Sequence, residues 1–522
     1  MAVSALSKRM QARSDTGTDG ILGGADASAD SFCPQRSRRY VLFAAILASA
    51  LGFIDGSILA IAMPVLRANL GASLVEAQWI SNAYALTLSA LILAGGAAGD
   101  RFGLRRAFVA GIAMFVIASI ACALAPDAPM LILFRAIQGI GAAVMVPGSL
   151  AIIAKAYPKS ERGRAIGIWA AASALTTALG PVIGGIVLSS FGSGIWRAIF
   201  AINLPLGALA IWLLLAKVPA DSPAQQRGLD LGGAALATLA FGAMAYGLTA
   251  MNAGGDGKSG LMNLAAFGLG LAALAVFLLW ERRQREPMVD LGLFRIAAFT
   301  GANAATFFLY FALSAVLFYL PMLLIAGWGL STAEVGFIFL PLSAAIALLS
   351  GPVGKWSDRI GPRLPIAFGS FVVGIAFAGL AVLAGTGFKG FWEGVFPLMV
   401  VMGLGMALVV SPLSTAIMTA VEDKDTGAAS GINNAIARLA GLMAVAALGA
   451  VASLVYAAAG GGVVGVEFGA LPETVLGPTV EATRLAATDR AFQAVAMISA
   501  FMCFVAALVA WISQPAKTVT QH

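Results

Sequence analysis

The sequence predicts an all-α polytopic membrane protein: fourteen transmembrane helices, built as two six-helix bundles related by a parallel repeat, with two further helices inserted between them. Three observations predict it. The 522 residues are 60% hydrophobic and only 11% charged, with a mean hydropathy of +0.91, against about 25% charged residues in soluble proteins. Apolar stretches of the roughly 20 residues needed to cross a bilayer recur fourteen times. One unit of cap, helix and basic turn also occurs twice, 258 residues apart.

In chain order, residues 1–39 carry Gly, Ser, Asp and Arg with few large apolar groups, and read as a disordered cytoplasmic arm. No apolar segment precedes them, so no cleavable secretory signal is expected. Ser37-Arg38-Arg39 looks like a twin-arginine signal, but with thirteen helices downstream it is better read as the anchor at the inner end of helix 1. Helices 1 to 6 are expected at 41–65, 77–99, 106–125, 130–153, 163–187 and 195–216, forming an N-terminal bundle over 40–216. Helices 7 and 8, at 230–251 and 261–281, form the inserted pair within 229–282. Helices 9 to 14 are expected at 298–324, 334–354, 364–384, 394–414, 430–455 and 491–512, a C-terminal bundle over 296–513. Residues 456–490 then form the long outer loop and 514–522 a cytoplasmic tail.

The positions of Lys and Arg test this count independently, because short cytoplasmic segments carry an excess of them. With a cytoplasmic N-terminus, alternate segments hold 21 basic residues on the inner side and 6 on the outer. A missed or invented helix would scramble that alternation. The net charge of +7 therefore belongs to inner loops facing anionic lipid, and no nucleic-acid partner is expected.

Other absences narrow the chemistry. His522 is the single histidine, which makes histidine zinc sites and Ser/His dyads implausible. Cys33, Cys122 and Cys503 are widely spaced and read as small buried hydrophobes. Gly257-Lys258-Ser259 resembles the end of a nucleotide-binding loop, but Asn252 stands where its first glycine is required. No enzyme, metal or organic cofactor is expected.

The repeat decides the architecture. Gly96-Ala-Ala-Gly-Asp100-Arg101-Phe-Gly103-Leu-Arg105-Arg106 follows helix 2, and Gly354-Lys-Trp-Ser-Asp358-Arg359-Ile-Gly361-Pro-Arg363 follows helix 10. At the same offset, Ser73 and Glu76 match Ser331 and Glu334, both with the spacing of a capping box. Eight helices, an even number, separate the copies, so both run the same way through the membrane. A parallel repeat of bundles with a site between them is transporter architecture.

Here the chain resembles the major facilitator superfamily, specifically its fourteen-helix drug:proton antiporter branch, over roughly residues 40–515. The G-x-x-x-D-R-x-G-x-R-R turn, Arg135-x-x-Gln138-Gly139-x-Gly141, Gly180-Pro181-x-x-Gly184-Gly185 and Trp196-Arg197-x-x-Phe200-x-x-Asn203-x-Pro205-x-Gly207 carry the resemblance, with Asp55 nine residues before Pro64. Ala60 and Ile325 depart from it, each standing where a polar residue is usual. The resemblance implies proton-linked efflux, an inner-face latch formed by Gly96, Asp100, Arg101, Gly103, Arg105, Asp358, Arg359 and Gly361, and an antiporter bend at Gly180, Pro181, Gly184 and Gly185.

Ionisable groups deep in a bilayer cost at least about 2.5 kcal/mol, and three are expected there: Asp55, Arg135 and Arg438. Burial disfavours the charged form of a carboxyl, so Asp55 is the candidate proton carrier; a permanently paired structural carboxylate is the alternative. Arg135 keeps its charge and is expected to control Asp55, since Met399 occupies its place in the second half. Arg438 also resembles a family position in the coupling set, and reads nearly as well as a partner of inner-loop acids or lipid phosphate. A lipophilic cargo needs an apolar, aromatic site with few polar groups; the candidates are Trp79, Tyr84, Gln138, Trp169, Tyr246, Phe307, Phe311, Tyr319 and Asn433. One buried acid suits a monocation or a neutral amphiphile. The expectation is proton-driven export of lipophilic small molecules from a bacterial cytoplasmic membrane. A dedicated exporter of one metabolite, such as an antibiotic or siderophore, and a transport-dead sensor are the alternatives, and a periplasmic adaptor is not readable.

Overall fold

The structure, a computed structural model, describes residues 32–221, 230–250, 257–284, 287–422, 425–472 and 474–516. Most of the expected arm, the end of the tail, and the loop residues Arg227, Arg285 and Lys424 lie outside these. Fourteen helices are long and apolar enough to span a membrane. They are α1 Gln35–Leu70, α2 Leu74–Phe102, α3 Leu104–Ala123, α4 Ala128–Ala156, α5 Lys159–Phe191, α6 Trp196–Lys217, α7 Leu231–Ala250 and α8 Gly257–Arg283. The rest are α9 Ala297–Gly327, α10 Thr332–Ile360, α11 Arg363–Thr386, α12 Phe391–Thr419, α13 Thr426–Ala458 and α14 Pro478–Ser513.

Two boundaries correct the sequence reading. α1 begins at Gln35 because Arg38 folds onto its neighbours, bonding Glu161 at 3.1 Å and the Cys33 carbonyl at 3.4 Å. α14 begins at Pro478, with proline preorganised in the first turn. Its early charges are satisfied locally: Arg484 pairs with Glu481 at 2.7 Å and donates to the Ala326 carbonyl at 2.9 Å. The long loop thus shrinks to 459–477.

Packing repeats with a period of eight helices. In the first bundle α1 packs on α5 and α6, α2 on α4, and α3 on α4 and α6; α9 on α13 and α14, α10 on α12, and α11 on α12 and α14 repeat each contact. Lipid offers no hydrophobic drive for helix association, so close backbone approach matters. A Cβ at Gly141 would stand 2.9 Å from the Gly111 carbonyl oxygen, and one at Gly405 2.8 Å from that of Gly369, the same crossing in each half. The repeated turns share a backbone state as well, with φ of +89° at Gly103 and +87° at Gly361. Gly96, expected in that turn, lies inside α2 with open space around it.

The halves meet symmetrically, α2 against α13, α5 against α10, and α1 against α9. The inserted helix α7 lies against α2 and α13, and α8 packs on α7. Both expected capping boxes are present, at Ser73/Glu76 and Ser331/Glu334.

Candidate functional site

The length of α1 carries Asp55 to the middle of the first bundle, where α4 delivers Arg135 and Gln138 one turn apart. Asp55 is 0% exposed and Arg135 1%. Arg135 Nη1 donates to Asp55 Oδ2 at 2.5 Å and to Gln138 Oε1 at 2.7 Å, while Gln138 Nε2 donates to Asp55 Oδ1 at 3.0 Å. Both carboxylate oxygens are therefore held. Arg135 Nε donates to the Ile80 carbonyl of α2 at 3.1 Å, and the guanidinium lies 4.3 Å from the Tyr84 ring centroid. A cation so placed is stabilised by the ring face.

A second layer holds Gln138. Its amide donates to Ser119 of α3 at 3.4 Å; Asn203 of α6 donates to the same hydroxyl at 2.8 Å, and Ser119 donates to the Phe200 carbonyl at 2.9 Å. Sequence reasoning missed Ser119, an ordinary serine with no motif around it. Asn203 and Phe200 were visible only as part of a signature, and this contact gives them a physical task. Beside Asp55 the α1 surface is open: Phe53 is 40% exposed, and nothing stands within 4 Å of a Cβ built at Gly56.

The seam between the halves closes at the end that carries the α1–α2 turn. Thr332 of α10 donates to the Gly185 carbonyl of α5 at 2.9 Å, and the Pro181 carbonyl lies 2.8 Å from a Cβ built at Gly336. Gln78 of α2 donates to Tyr319 of α9 at 2.8 Å, and Tyr319 donates to the Val445 carbonyl of α13. Arg67 donates to the Phe468 carbonyl and to Glu467, both at 2.8 Å, while Glu467 accepts the Leu74 N–H at 2.6 Å. Towards the other end α5 and α10 part. Only Ala165 and Ser173 are buried between Glu161 and Thr177, and only Val353 and Ser357 between Ala347 and Ile360.

The other expected site residues divide. Gln138 belongs to the Asp55 cluster and is 0% exposed, not a cargo contact. Trp79 and Tyr246 pack together at the α2–α7 contact, their centroids 6.4 Å apart, at the edge of the bundles. Tyr319 is sealed into the closed end, Trp169 donates to Ser49 at 2.8 Å inside the first bundle, and Asn433 donates to Thr306 at 2.7 Å inside the second. Phe307 and Phe311 form a partly exposed pair, 6.1 Å between centroids.

The expected antiporter bend runs as unbroken helix through Pro181. Its glycines are contact surfaces: Gly184 faces Ile58 of α1, and Gly185 faces the Thr332 backbone. Of the expected latch, the side chain of Asp100 lies outside what is described. Among the described residues Asp358 and Arg359 are exposed and form no hydrogen bond, so the second copy of the turn latches nothing here. The N-terminus of α3 is instead capped by Asp221, whose carboxylate accepts the N–H groups of Leu104 and Arg105 at 2.9 and 3.0 Å and pairs with Lys155 at 2.9 Å.

Two bundles that seal at one end, part at the other and bury an acid–base pair beside the seam have the build of a secondary transporter. The chain belongs to the Major Facilitator Superfamily, whose profile matches residues 45–445, and it is a transporter rather than an enzyme. It is 33% identical over 416 residues to the multidrug resistance protein Stp of Mycobacterium tuberculosis (strain CDC 1551 / Oshkosh), covering 78% of this chain and 75% of that one. It is 33% identical over 427 residues to the methylenomycin A resistance protein of Bacillus subtilis (strain 168), covering 80% and 89%. The tetracenomycin C resistance and export protein of Streptomyces glaucescens is 30% identical over 412 residues, 77% and 74% of the two chains. The fold matches a bacterial homolog of the human lysosomal transporter Spinster, with a TM-score of 0.64 at 17% identity, covering 92% of this chain and 99% of the other.

Proposed function

We propose that this protein exports lipophilic small molecules from the cytoplasm of a bacterium in exchange for protons, by alternating access across the cytoplasmic membrane. The observation that carries the reading is the wholly buried Asp55, held by Arg135 and Gln138 one helix face away from the open surface at Phe53 and Gly56. A proton arriving from outside neutralises Asp55 and weakens its hold on Arg135. Loss of that proton to the inside restores the pair and resets the bundle. The resistance and export named for the relatives supports the outward direction. The excess of Lys and Arg in alternate loops supports a cytoplasmic position for both termini and for the parted ends of α5 and α10.

The test is uptake of the lipophilic dyes rhodamine 123 and fluorescein into proteoliposomes with an acid interior. Uptake that raises internal pH and stops when a protonophore is added supports antiport. Gradient-independent equilibration of either dye contradicts it. A second reading, export of one native metabolite, is favoured by relatives named for single antibiotics; a dye panel answered by one compound alone would select it.

A further inference from the structure

The cargo charge expected from sequence rested on Asp55 being a free acid, and the structure has spent that acid. Both oxygens of Asp55 are occupied by Arg135 and Gln138, so the pair presents no net charge to the seam. The third deep ionisable group is Arg438 of α13. Among the described residues it forms no hydrogen bond and no ion pair, and its Nε is buried without a partner. Its position is at the seam. One turn before it, Ala435 packs against the core of the first half; next to it, Leu439 packs with Leu86 and Trp79 of α2. The titratable side chains that act on it are Tyr84 of α2 and Tyr310 of α9, one from each half, and neither is a carboxylate. Tyr84 has Arg135 against its ring and so interacts with both guanidinium groups.

An unpaired cation in the bilayer interior is costly and is normally matched by a counter-charge. Among the described residues none is supplied here: of the three deep charges two cancel, and one positive charge remains. We propose that Arg438 is the anchor for the polar end of the cargo, and that the preferred cargo is a lipophilic anion, a planar aromatic carboxylate or phenolate. Its apolar body would lie against the partly exposed pair Phe307 and Phe311 and the exposed Phe53. A guanidinium suits this end of a ligand because its planar fork pairs two oxygens at once. The proposal rests on the export reading above and assigns its substrate class, an anion where the sequence suggested a monocation or a neutral amphiphile. It has an energetic corollary. Sending an anion out while a proton comes in moves two positive charges inward per cycle at one-to-one stoichiometry, so the membrane potential as well as the pH difference drives export.

The experiment compares two dyes that share a xanthene core, fluorescein, anionic at neutral pH, and rhodamine 123, cationic. Equilibrium binding to purified full-length protein is measured for wild type, Arg438→Gln and Arg438→Lys. The expected result is at least tenfold tighter binding of fluorescein than of rhodamine 123 by wild type. Arg438→Gln should erase that preference and Arg438→Lys should keep most of it. Wild-type preference for rhodamine 123, saturable binding of neither dye, or a preference unchanged in Arg438→Gln each overturns the proposal, and the first two need no variant to fold. Coupled transport is scored separately. Arg438-dependent fluorescein binding without proton-linked flux would leave the anion site standing and remove the antiport reading; proton-linked flux with no effect of Arg438 would do the reverse.

Discussion

Arg135 Nη1 lies 2.5 Å from Asp55 Oδ2, and neither side chain meets solvent. The pair joins α4 to α1, while Arg135 also reaches the Ile80 carbonyl of α2. One guanidinium therefore ties three helices of the first bundle together, and the charge on Asp55 decides how strongly. Asp55 is therefore a bolt between α1 and α4.

Breaking a buried pair from one side costs about 3–5 kcal/mol, because the remaining charge is left uncompensated. Arg135→Gln is expected to destabilise the protein by that order. Asp55→Asn, which keeps an oxygen for Arg135, should cost less. The double variant Asp55→Asn/Arg135→Gln should be more stable than Arg135→Gln alone. Thermal unfolding of the purified variants checks the ordering.

Much of this was legible in sequence, and the pattern of success has a physical cause. Long apolar runs and basic turns report bilayer crossing directly, so all fourteen helices were placed. The boundaries at Gln35 and Pro478 were missed because Arg38, Glu481 and Arg484 look like loop charges until their partners are known. Asp55 and Arg135 were legible because charge in a membrane needs a reason. The aromatics were not: a Trp or Tyr names no face, so Trp79, Tyr246 and Tyr319 proved to be packing and sealing residues. Ser119 is silent in sequence, being recognisable only once α3, α4 and α6 converge on it.

Gly185 sets the closed end. Any Cβ there would press on the Thr332 carbonyl, a backbone atom with little freedom to yield. Gly185→Val should pry α5 from α10 and raise the maleimide reactivity of a cysteine introduced at the buried Thr332. The background is low, because Cys33, Cys122 and Cys503 are all buried. Unaltered labelling would show that the seam does not depend on this approach.

Glu467 straps the same end from the loop, capping α2 at Leu74 while pairing with Arg67. Glu467→Gln should weaken both contacts and widen spin-label distances across the α5–α10 end, with little change in overall stability, because half of the Glu467 side chain is exposed.

Asp221 predicts an acid response outside the membrane. Its burial pushes the carboxyl up, but the N–H groups of Arg105 and Leu104 and the Lys155 ammonium together hold it below the usual carboxylate range. A carboxyl lowered on folding stabilises above its ordinary value, and that contribution is lost as pH falls through the lowered one. Asp221→Asn should therefore cost about 0.5–2 kcal/mol at neutral pH, the range for a lost helix cap, and flatten the loss of stability below about pH 4. Unfolding curves of both proteins from pH 7 to pH 3 test it.

The central claim is that cargo and proton meet through Asp55. The direct measurement is proton release from purified protein in weakly buffered solution as a saturably binding dye, fluorescein or rhodamine 123, is added. Wild type should release protons in proportion to dye bound, and Asp55→Asn should bind the dye while releasing none. Equal release from both proteins, or binding by wild type with no release, would contradict the account.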